Sequence, residues 1–567
     1  MGDRLEDLDA ATYNIENGKV VVTKVDKNSL FKDKGDKEII QKFTFPNIKE
    51  GSIIEYDYKV SSPAYWILDP WYFQSDYPRL WSEYSVDIPA FYNFITLKQG
   101  YLPYVIDSAN MSRDNYNILD PGETANDRTE VYSFQSNTFY HMWAIQNVPA
   151  LKEEEFTTTL MNHIAKIDFQ LNSTQYPNSP VKPYMQNWYE VAKDLMKDES
   201  FGEPLTHDNN WLNDDVKKAT AGAKDKEEKA KKIFEFVRNN FSCTDNYARY
   251  LSQPLKKTYQ AHKGNVADIN ILLAAMLKNA GLEVYPALLS TRGHGITYDM
   301  YPIMTKFNYV ITQAKSDDKT FLLDASDPNI GFNRLPAECY NGNARIIADE
   351  PVLIDLSADS LMESKLTTVF MINDEKGLNG SFSTQLGNQE SQTIRKKLSA
   401  TKQEEFFKEI KKNYPMEVEL NNAEIDSLKI PEEPVAIKYE LNFSFNDEDI
   451  IYFNPVLAEA YKENPFKAAE RFYPVEMPSC SDETYILNME VPKGYKVEEL
   501  PKSARVMLNE NEGMFEYMIG ESGGHIQLRC RTILKKANFG PDDYQTLRDF
   551  FAYIVKKQAE QIVFKKL

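Results

Sequence analysis

Cysteine is scarce in this chain. Cys243, Cys339, Cys480 and Cys530 are spread over 567 positions with no C-x-x-C pair. That spacing argues against a clustered zinc site or a disulfide-dense scaffold. Within the last region Cys480 and Cys530 are close enough in sequence for a bridge, and bridged and free thiols both stay open. No apolar run approaches the roughly 18 residues of a membrane-spanning helix. Basic residues are in deficit, 65 against 85 acidic ones, for a net charge of −20. The chain therefore lacks the basic footprint of a nucleic-acid binder and would be repelled by anionic lipid. The plain role of such acidity is solubility. A secretion signal is missing as well. The opening "MGDRLEDLDAATYNIENGKVVV" is acidic and enters a hairpin at Asn17-Gly18, as a trimmed mature chain or a cytoplasmic one would.

What is present is aromatic and globular: 13% Phe, Trp and Tyr, 42% hydrophobic and 26% charged residues. At about 150 residues per domain, the length suggests three or four domains. The first part, to about residue 175, reads as β. In "GSIIEYDYKV", Ile54, Tyr56, Tyr58 and Val60 alternate with Glu55, Asp57 and Lys59, and turn signals recur at "ENG", "FPNIKEG", "SSPAY" and "DPGE". Trp66, Trp71 and Trp81 are expected in its core rather than on a carbohydrate-stacking surface. "NSTQYPNSPVKPY" has the composition of a linker.

Helical patterning follows in "NWYEVAKDLMK" and in "AKDKEEKAKKIFEFVRNNF", where Ala230, Ile233, Phe234, Val237 and Phe241 form one stripe. The clearest helix spans 265–281. Asn265 and Asp268 are placed as a capping box, Ile269, Leu272, Leu273, Met276, Leu277 and Ala280 make the apolar face, and Gly281 ends it. Three strand-like runs come next: "EVYPALLST", "KFNYVITQA" and "TFLLDAS". Beyond about residue 360 the pattern is β again. "PVAIKYELNFSF" puts Val435, Ile437, Tyr439, Leu441, Phe443 and Phe445 on one face, "HIQLRCRTIL" follows the turn "ESGG", and a last helix reads over "DDYQTLRDFFAYIVKKQAEQIVF". The expected class is an α+β multidomain protein. It comprises a β-sandwich-like domain (1–175), an α+β middle domain (185–355) and a C-terminal β domain with a terminal helix (360–567).

The stretch "KGNVADINILLAAMLKNAGLEVYPALLSTRGHG", with "FNYVITQA" and "FLLDASDP" after it, resembles the transglutaminase-like superfamily, whose fold is related to papain. In that superfamily a cysteine opens the helix, a histidine lies on a following strand and an aspartate on the next. A helix N-terminus and a nearby imidazole depress the thiol pKa, and the carboxylate orients the imidazole. Here the cysteine position holds Val266 and the histidine position holds Tyr309, while Asp324 keeps the acidic one. Valine has no lone pair to attack with, and a phenol with a pKa near 10 is a poor base at neutral pH. The resemblance thus implies a fold without its catalytic residues, and no cofactor or metal is called for. The flanks resemble the N-terminal domain of unknown function and the C-terminal β domain that accompany such domains in envelope proteins of Gram-negative bacteria. This implies an exported protein of the periplasm or cell envelope.

Two functions stay open at this point. In the first, the protein is a non-catalytic binding or scaffolding module that recognises a protein, a peptide or another surface polymer. Its former groove would be lined by Asn265, Asp268, Asn270, His294 and Asn308 around the vestigial positions Val266, Tyr309 and Asp324. Helix N-terminal amides hold a carbonyl or carboxylate in such a groove. In the second, it is a hydrolase, peptidase or acyltransferase with a relocated nucleophile. Cys243 is the thiol nearest the helix in sequence, and Ser290 and Thr291 end the neighbouring strand without an evident base.

Overall fold

The computed structural model describes residues 3–34, 39–64, 66–120, 130–374, 377–444 and 448–567. Buried apolar clusters follow one another along the chain: one from Phe73 to Phe169, two between Trp188 and Leu356, and one from Ala358 to Phe564.

The first region is all β. Strands Arg4–Glu16 and Lys19–Lys24 form the expected hairpin, with Asn17 (φ 52°) and Gly18 (φ 75°) both in the left-handed conformation that a two-residue turn of this hand requires. Ile53–Ser61 completes their three-stranded sheet. Its alternation is as read, yet Ile54, Tyr56, Tyr58 and Val60 stay about half exposed, because that face is not part of a buried cluster. The packed core lies further on. Arg79–Pro89, Glu130–Val148 and Ile106–Asp120 make one antiparallel sheet, and Lys166–Thr174 with Tyr92–Gln99 anchors another. Val86, Ile88, Trp143 and Ile145 of the first meet Ile167 and Phe169 of the second, in the manner of a sandwich.

Two expectations fail in this region. Trp66, Trp71 and Trp81 are not core residues but 49%, 37% and 48% exposed. Along Arg79–Pro89 the inward positions are Ser82, Val86 and Ile88, so Trp81 falls on the other face, where its Nε1–H donates to Glu83 (3.0 Å). Trp71 sits at the rim, stacked on Tyr84. Trp143 is the buried indole instead. The stretch 172–184 is also not a free linker, since its ends pair as strands Lys166–Thr174 and Lys182–Pro183. The "DPGE" turn, like Phe445 in the last region, lies at least partly outside the described residues.

In the middle region the helix Val266–Asn279 packs on a five-stranded antiparallel sheet. The order is Lys319–Leu323, Tyr309–Ser316, Glu283–Leu289, Gly342–Ile346, Val352–Leu356. The last two strands were not read from the sequence. Asn265 and Asp268 form the capping box, and Gly281 (φ 85°) takes the left-handed turn after the helix. The helix is not merely striped: every residue from Val266 to Leu277 is buried. Helices Lys226–Asn240 and Leu255–Ala261 cover the side away from the sheet, so no face meets water.

The last region is built on an eight-stranded sheet in which one pair, Met362–Asn373 with Cys480–Glu490, runs parallel. Two helices absent from the sequence reading, Asn388–Ala400 and Gln403–Lys412, lie between its strands in the chain. The terminal helix ends at Gln558, earlier than expected. Ile562–Lys566 then returns as a strand between Ile450–Phe453 and Tyr495–Glu499. Cys480 and Cys530 are both free, and Cys530 stands opposite Tyr485 rather than Cys480.

Glu476 joins all three regions. Its N–H donates to the Phe156 carbonyl (2.8 Å), and its own carbonyl accepts from the Arg292 guanidinium (2.7 Å). One carboxylate oxygen accepts from Thr158 N–H (2.9 Å), Thr158 Oγ (2.5 Å) and His163 Nε2 (3.0 Å). Burial acts to raise this carboxyl, but the hydrogen bond and charge of His163 and the bonds from Thr158 outweigh it and hold it below the usual carboxylate range. A depressed carboxyl contributes stability above its unfolded pKa and loses it as pH falls through the folded one. Glu476→Gln should therefore cost about 1–3 kcal/mol at neutral pH. The gap in melting temperature between the two proteins should close as the pH is taken below about 4. Thermal melts from pH 7 to pH 3 check this, and a gap constant across that range would refute the ionic role.

Candidate functional site

The chain enters the helix through Gly264, where a Cβ would stand 2.5 Å from Asp268 Cβ, so no larger residue fits. Asn265 Oδ1 accepts from Asp268 N–H (2.7 Å), and its Nδ2 donates to the Tyr250 carbonyl (3.0 Å). Asp268 returns the bond to Asn265 N–H (2.8 Å) and also accepts from the N–H and Oγ of Ser252. Val266 N–H donates to the Asp245 carbonyl (2.9 Å). The helix-opening amides of Val266 and Asp268 are thus bound within the fold.

Val266 has no exposed surface and packs in a cluster with Ala287, Leu289, Tyr309, Ile311 and Cys339. Tyr309 is 2% exposed and Asp324 is completely buried. The Tyr309 hydroxyl donates to Asp324 Oδ2 (2.7 Å) and lies 3.3 Å from Ser326 Oγ. Asp324 Oδ1 accepts from Asn270 Nδ2 (2.8 Å), Ser326 N–H (2.9 Å) and Ser326 Oγ (2.7 Å). Asn270 is fully used in turn, donating to the Val310 carbonyl (2.9 Å) and accepting from Ala325 N–H (2.9 Å). Burial first, and the neighbouring Asp324 charge second, push the Tyr309 phenol well above its ordinary value. It stays a neutral donor at any physiological pH.

The structure does not gather the expected groove. Asn265, Asp268 and Asn270 are buried, with the side-chain bonds just described. Asn308 holds the following loop instead, its Oδ1 accepting from Thr291 N–H and its Nδ2 donating to Thr291 Oγ1 (2.9 Å each). His294 is exposed in a turn, with Nε2 3.0 Å from the Thr305 carbonyl. Ser290 Oγ is spent on the Gly295 carbonyl (2.5 Å). Among the described residues, the best-formed cavities are lined by other side chains than Val266, Tyr309 and Asp324.

Two thiols lie near these positions. Cys243, on the short strand paired with Lys263–Gly264, packs against the cluster that contains Val266. Its Sγ contacts the Asp245 carbonyl (3.3 Å), and burial is the main cause that pushes the thiol up to about 11. Cys339 is buried, and burial together with the Asp324 charge raises it well above the ordinary thiol range. Neither is poised as a thiolate at neutral pH. Ser326 and Cys339 were not singled out from the sequence. The signal for Ser326 was present, two residues after Asp324 in "DASDP", a spacing at which a side chain and backbone bond locally.

Residues 214–321 match the transglutaminase-like superfamily. A second match, over residues 449–564, is to a domain of unknown function, DUF3858. No curated protein matches the chain. A crystal structure from Parabacteroides distasonis ATCC 8503, described as a "putative protease", is similar over 100% of this chain and 92% of that one, at 12% identity and a TM-score of 0.49.

The Tyr309–Asp324 bond is open to direct measurement. Tyr309→Phe removes the only hydroxyl on Asp324 Oδ2 among the described residues and should destabilise the fold by about 1–3 kcal/mol. Asn270→Leu should cost more, since it takes one bond from Asp324 Oδ1 and leaves the Val310 carbonyl and Ala325 N–H without their side-chain partner. Denaturant or thermal unfolding of both variants tests the order.

Proposed function

We propose that this protein is a non-catalytic member of the transglutaminase-like superfamily, a binding or scaffolding module that recognises a protein, a peptide or another surface polymer. The observation that carries the reading is the completely buried Val266 at the position where a nucleophile would open the helix. The Tyr309 hydroxyl bound to Asp324 supports it, because the carboxyl that would orient an imidazole is occupied by a neutral donor. The raised thiols of Cys243 and Cys339 add to the case. A place in the cell envelope is part of the proposal and rests on the resemblance of the flanking regions. Fractionation of cells expressing the natural gene tests it.

The competing reading is a hydrolase or acyltransferase working through Cys243, favoured by the contact of that residue with the Val266 cluster. The two readings separate in one set of assays. Purified protein should show no peptide or thioester turnover and no transamidation above background, and a thiol probe should label Cys243 slowly at neutral pH. Val266→Cys or Tyr309→His alone should do little, because nucleophile and base act as one unit. The double variant is the version in which thiol reactivity should rise. Turnover by the unmodified protein that is lost in Cys243→Ser would overturn the proposal.

A further inference from the structure

The three-stranded sheet at the start of the chain runs in the order Lys19–Lys24, Arg4–Glu16, Ile53–Ser61. Its strands pack chiefly on one another, and none of their described residues enters a buried apolar cluster. All nine residues of Ile53–Ser61 are exposed, among them Ile53, Ile54, Tyr56, Tyr58 and Val60. Tyr56 and Tyr58 stack with centroids 6.3 Å apart, and Phe43 and Phe45 meet Tyr56 edge-on at 6.1 and 6.0 Å. A sheet this small holds in water by covering an apolar face, and an exposed apolar strip of this kind marks an interaction surface.

Ile53–Ser61 is also an open edge. It pairs with Arg4–Glu16 on one side and, among the described residues, with no strand on the other. Little blunts it: the strand has no proline and one lysine, Lys59, and the irregularity in its pairing falls on the inner strand, between Leu5 and Asp7. By contrast, Glu419–Asp426, at one edge of the eight-stranded sheet, is itself bulged between Asn421 and Glu424. The direction of the backbone follows from one bond. The Ala10 carbonyl accepts from Val25 N–H (2.8 Å), so Ala10 turns its polar groups toward Lys19–Lys24. Alternation then gives Asp9, Ala11 and Tyr13 to the other neighbour, opposite Asp57, Glu55 and Ile53. The N–H and C=O of Ile54, Tyr56 and Tyr58 therefore point out of the open edge.

We propose that this edge pairs with its equivalent in a second copy of the chain, antiparallel about a two-fold axis at Tyr58. Tyr58 then faces Tyr58 of the second copy, Asp57 faces its Lys59, Tyr56 faces its Val60 and Glu55 faces its Ser61. In this register the strand is its own charge complement, since both Asp57–Lys59 pairs form and no like charges meet. A two-fold at Asp57 would set two aspartates face to face, and one at Tyr56 would set Glu55 against Asp57. The Asp57–Lys59 pairs also fall at the non-hydrogen-bonded positions, where side chains come closest. Lys59 is held only by a solvent-exposed contact with Glu6 (3.4 Å), which a closer carboxylate can replace. Facing residues share a face, so the Tyr56–Tyr58 strips of the two copies join. A two-fold contact uses up the edge and stops at two copies. The surface lies apart from Val266, Tyr309 and Asp324, so the proposal holds whether or not the protein is catalytic.

Sedimentation equilibrium on the full chain tests it. At about 100 µM the particle should have twice the mass of one chain, with no larger species. Tyr58→Pro removes an outward N–H and no bond within the sheet. That variant should keep the parent's circular dichroism and self-associate at least about tenfold more weakly. Asp57→Lys and Lys59→Asp should each weaken association as much, because each sets like charges opposite one another. An equimolar mixture of these two should dimerise again, every charge now meeting its opposite on the other copy. Should Tyr58→Pro not fold, the two charge variants and their mixture decide alone. The proposal is overturned if the chain is a monomer at that concentration, which leaves the edge to a strand of a different protein. It is equally overturned if association grows past two copies, if any folded variant dimerises as the parent does, or if the mixture stays monomeric.

Discussion

A carboxylate with no access to water must have its bonds supplied by the protein, and Asp324 sets that condition for the middle of this molecule. Removing such a group from water costs several kcal/mol, recovered only when its oxygens are met with good geometry. Asn270 from the helix, Ser326 from the segment after the strand and Tyr309 from the neighbouring strand all converge on it. Each of those partners is then fixed by its own second bond or by burial. Asn270 could not turn toward a ligand without releasing Asp324, the Val310 carbonyl and Ala325 N–H at once. The polar heart of the domain is therefore closed on itself, and Val266 completes the closure with an apolar side chain.

The three regions are joined on the same principle. Besides Glu476, Arg238 makes a short ion pair with Glu432 (2.6 Å) and donates to the Ile330 carbonyl. Asp327 accepts from Gln392 (2.8 Å) and pairs with Lys396 (2.6 Å). These contacts tie the middle region to the last one, and Arg238, Glu432 and Asp327 are largely removed from water while Lys396 reaches in from the surface. A pair of this kind resists separation because an unpaired partner would be left buried.

Local grammar explains which elements were legible in the sequence. The helix Val266–Asn279 carries its cap, its apolar spacing and its terminal glycine in one continuous stretch, so reading it needed no knowledge of its neighbours. The Asn17-Gly18 hairpin is of the same kind. What escaped was decided at a distance. Whether Trp81 or Trp143 enters the core depends on which face of a strand meets the other sheet, and strand alternation alone leaves that choice open. Ile562–Lys566 is β only because Ile450–Phe453 and Tyr495–Glu499 lie on either side of it. At the candidate site the identities of Val266, Tyr309 and Asp324 were visible, and their burial was not. Asn270 read as a groove residue because a polar side chain on an apolar helix has two explanations, a ligand or a buried partner. The sheet beneath it decides for the partner.

The single parallel pair in the eight-stranded sheet has a consequence for how the chain assembles. Met362 aligns with Cys480, whereas Met362–Asn373 with Leu378–Gln385 on one side, and Gly513–Ser522 with His525–Leu534 further out on the other, join neighbours in the chain. Short-range antiparallel pairs close their loops at small entropic cost, while a seam between distant segments must wait for a large loop to close. The parallel seam is therefore the pair in this sheet that closes the largest loop. Until it closes, Met362–Asn373 and Cys480–Glu490 each present a long open edge, the kind of surface on which a second, partly folded copy would pair.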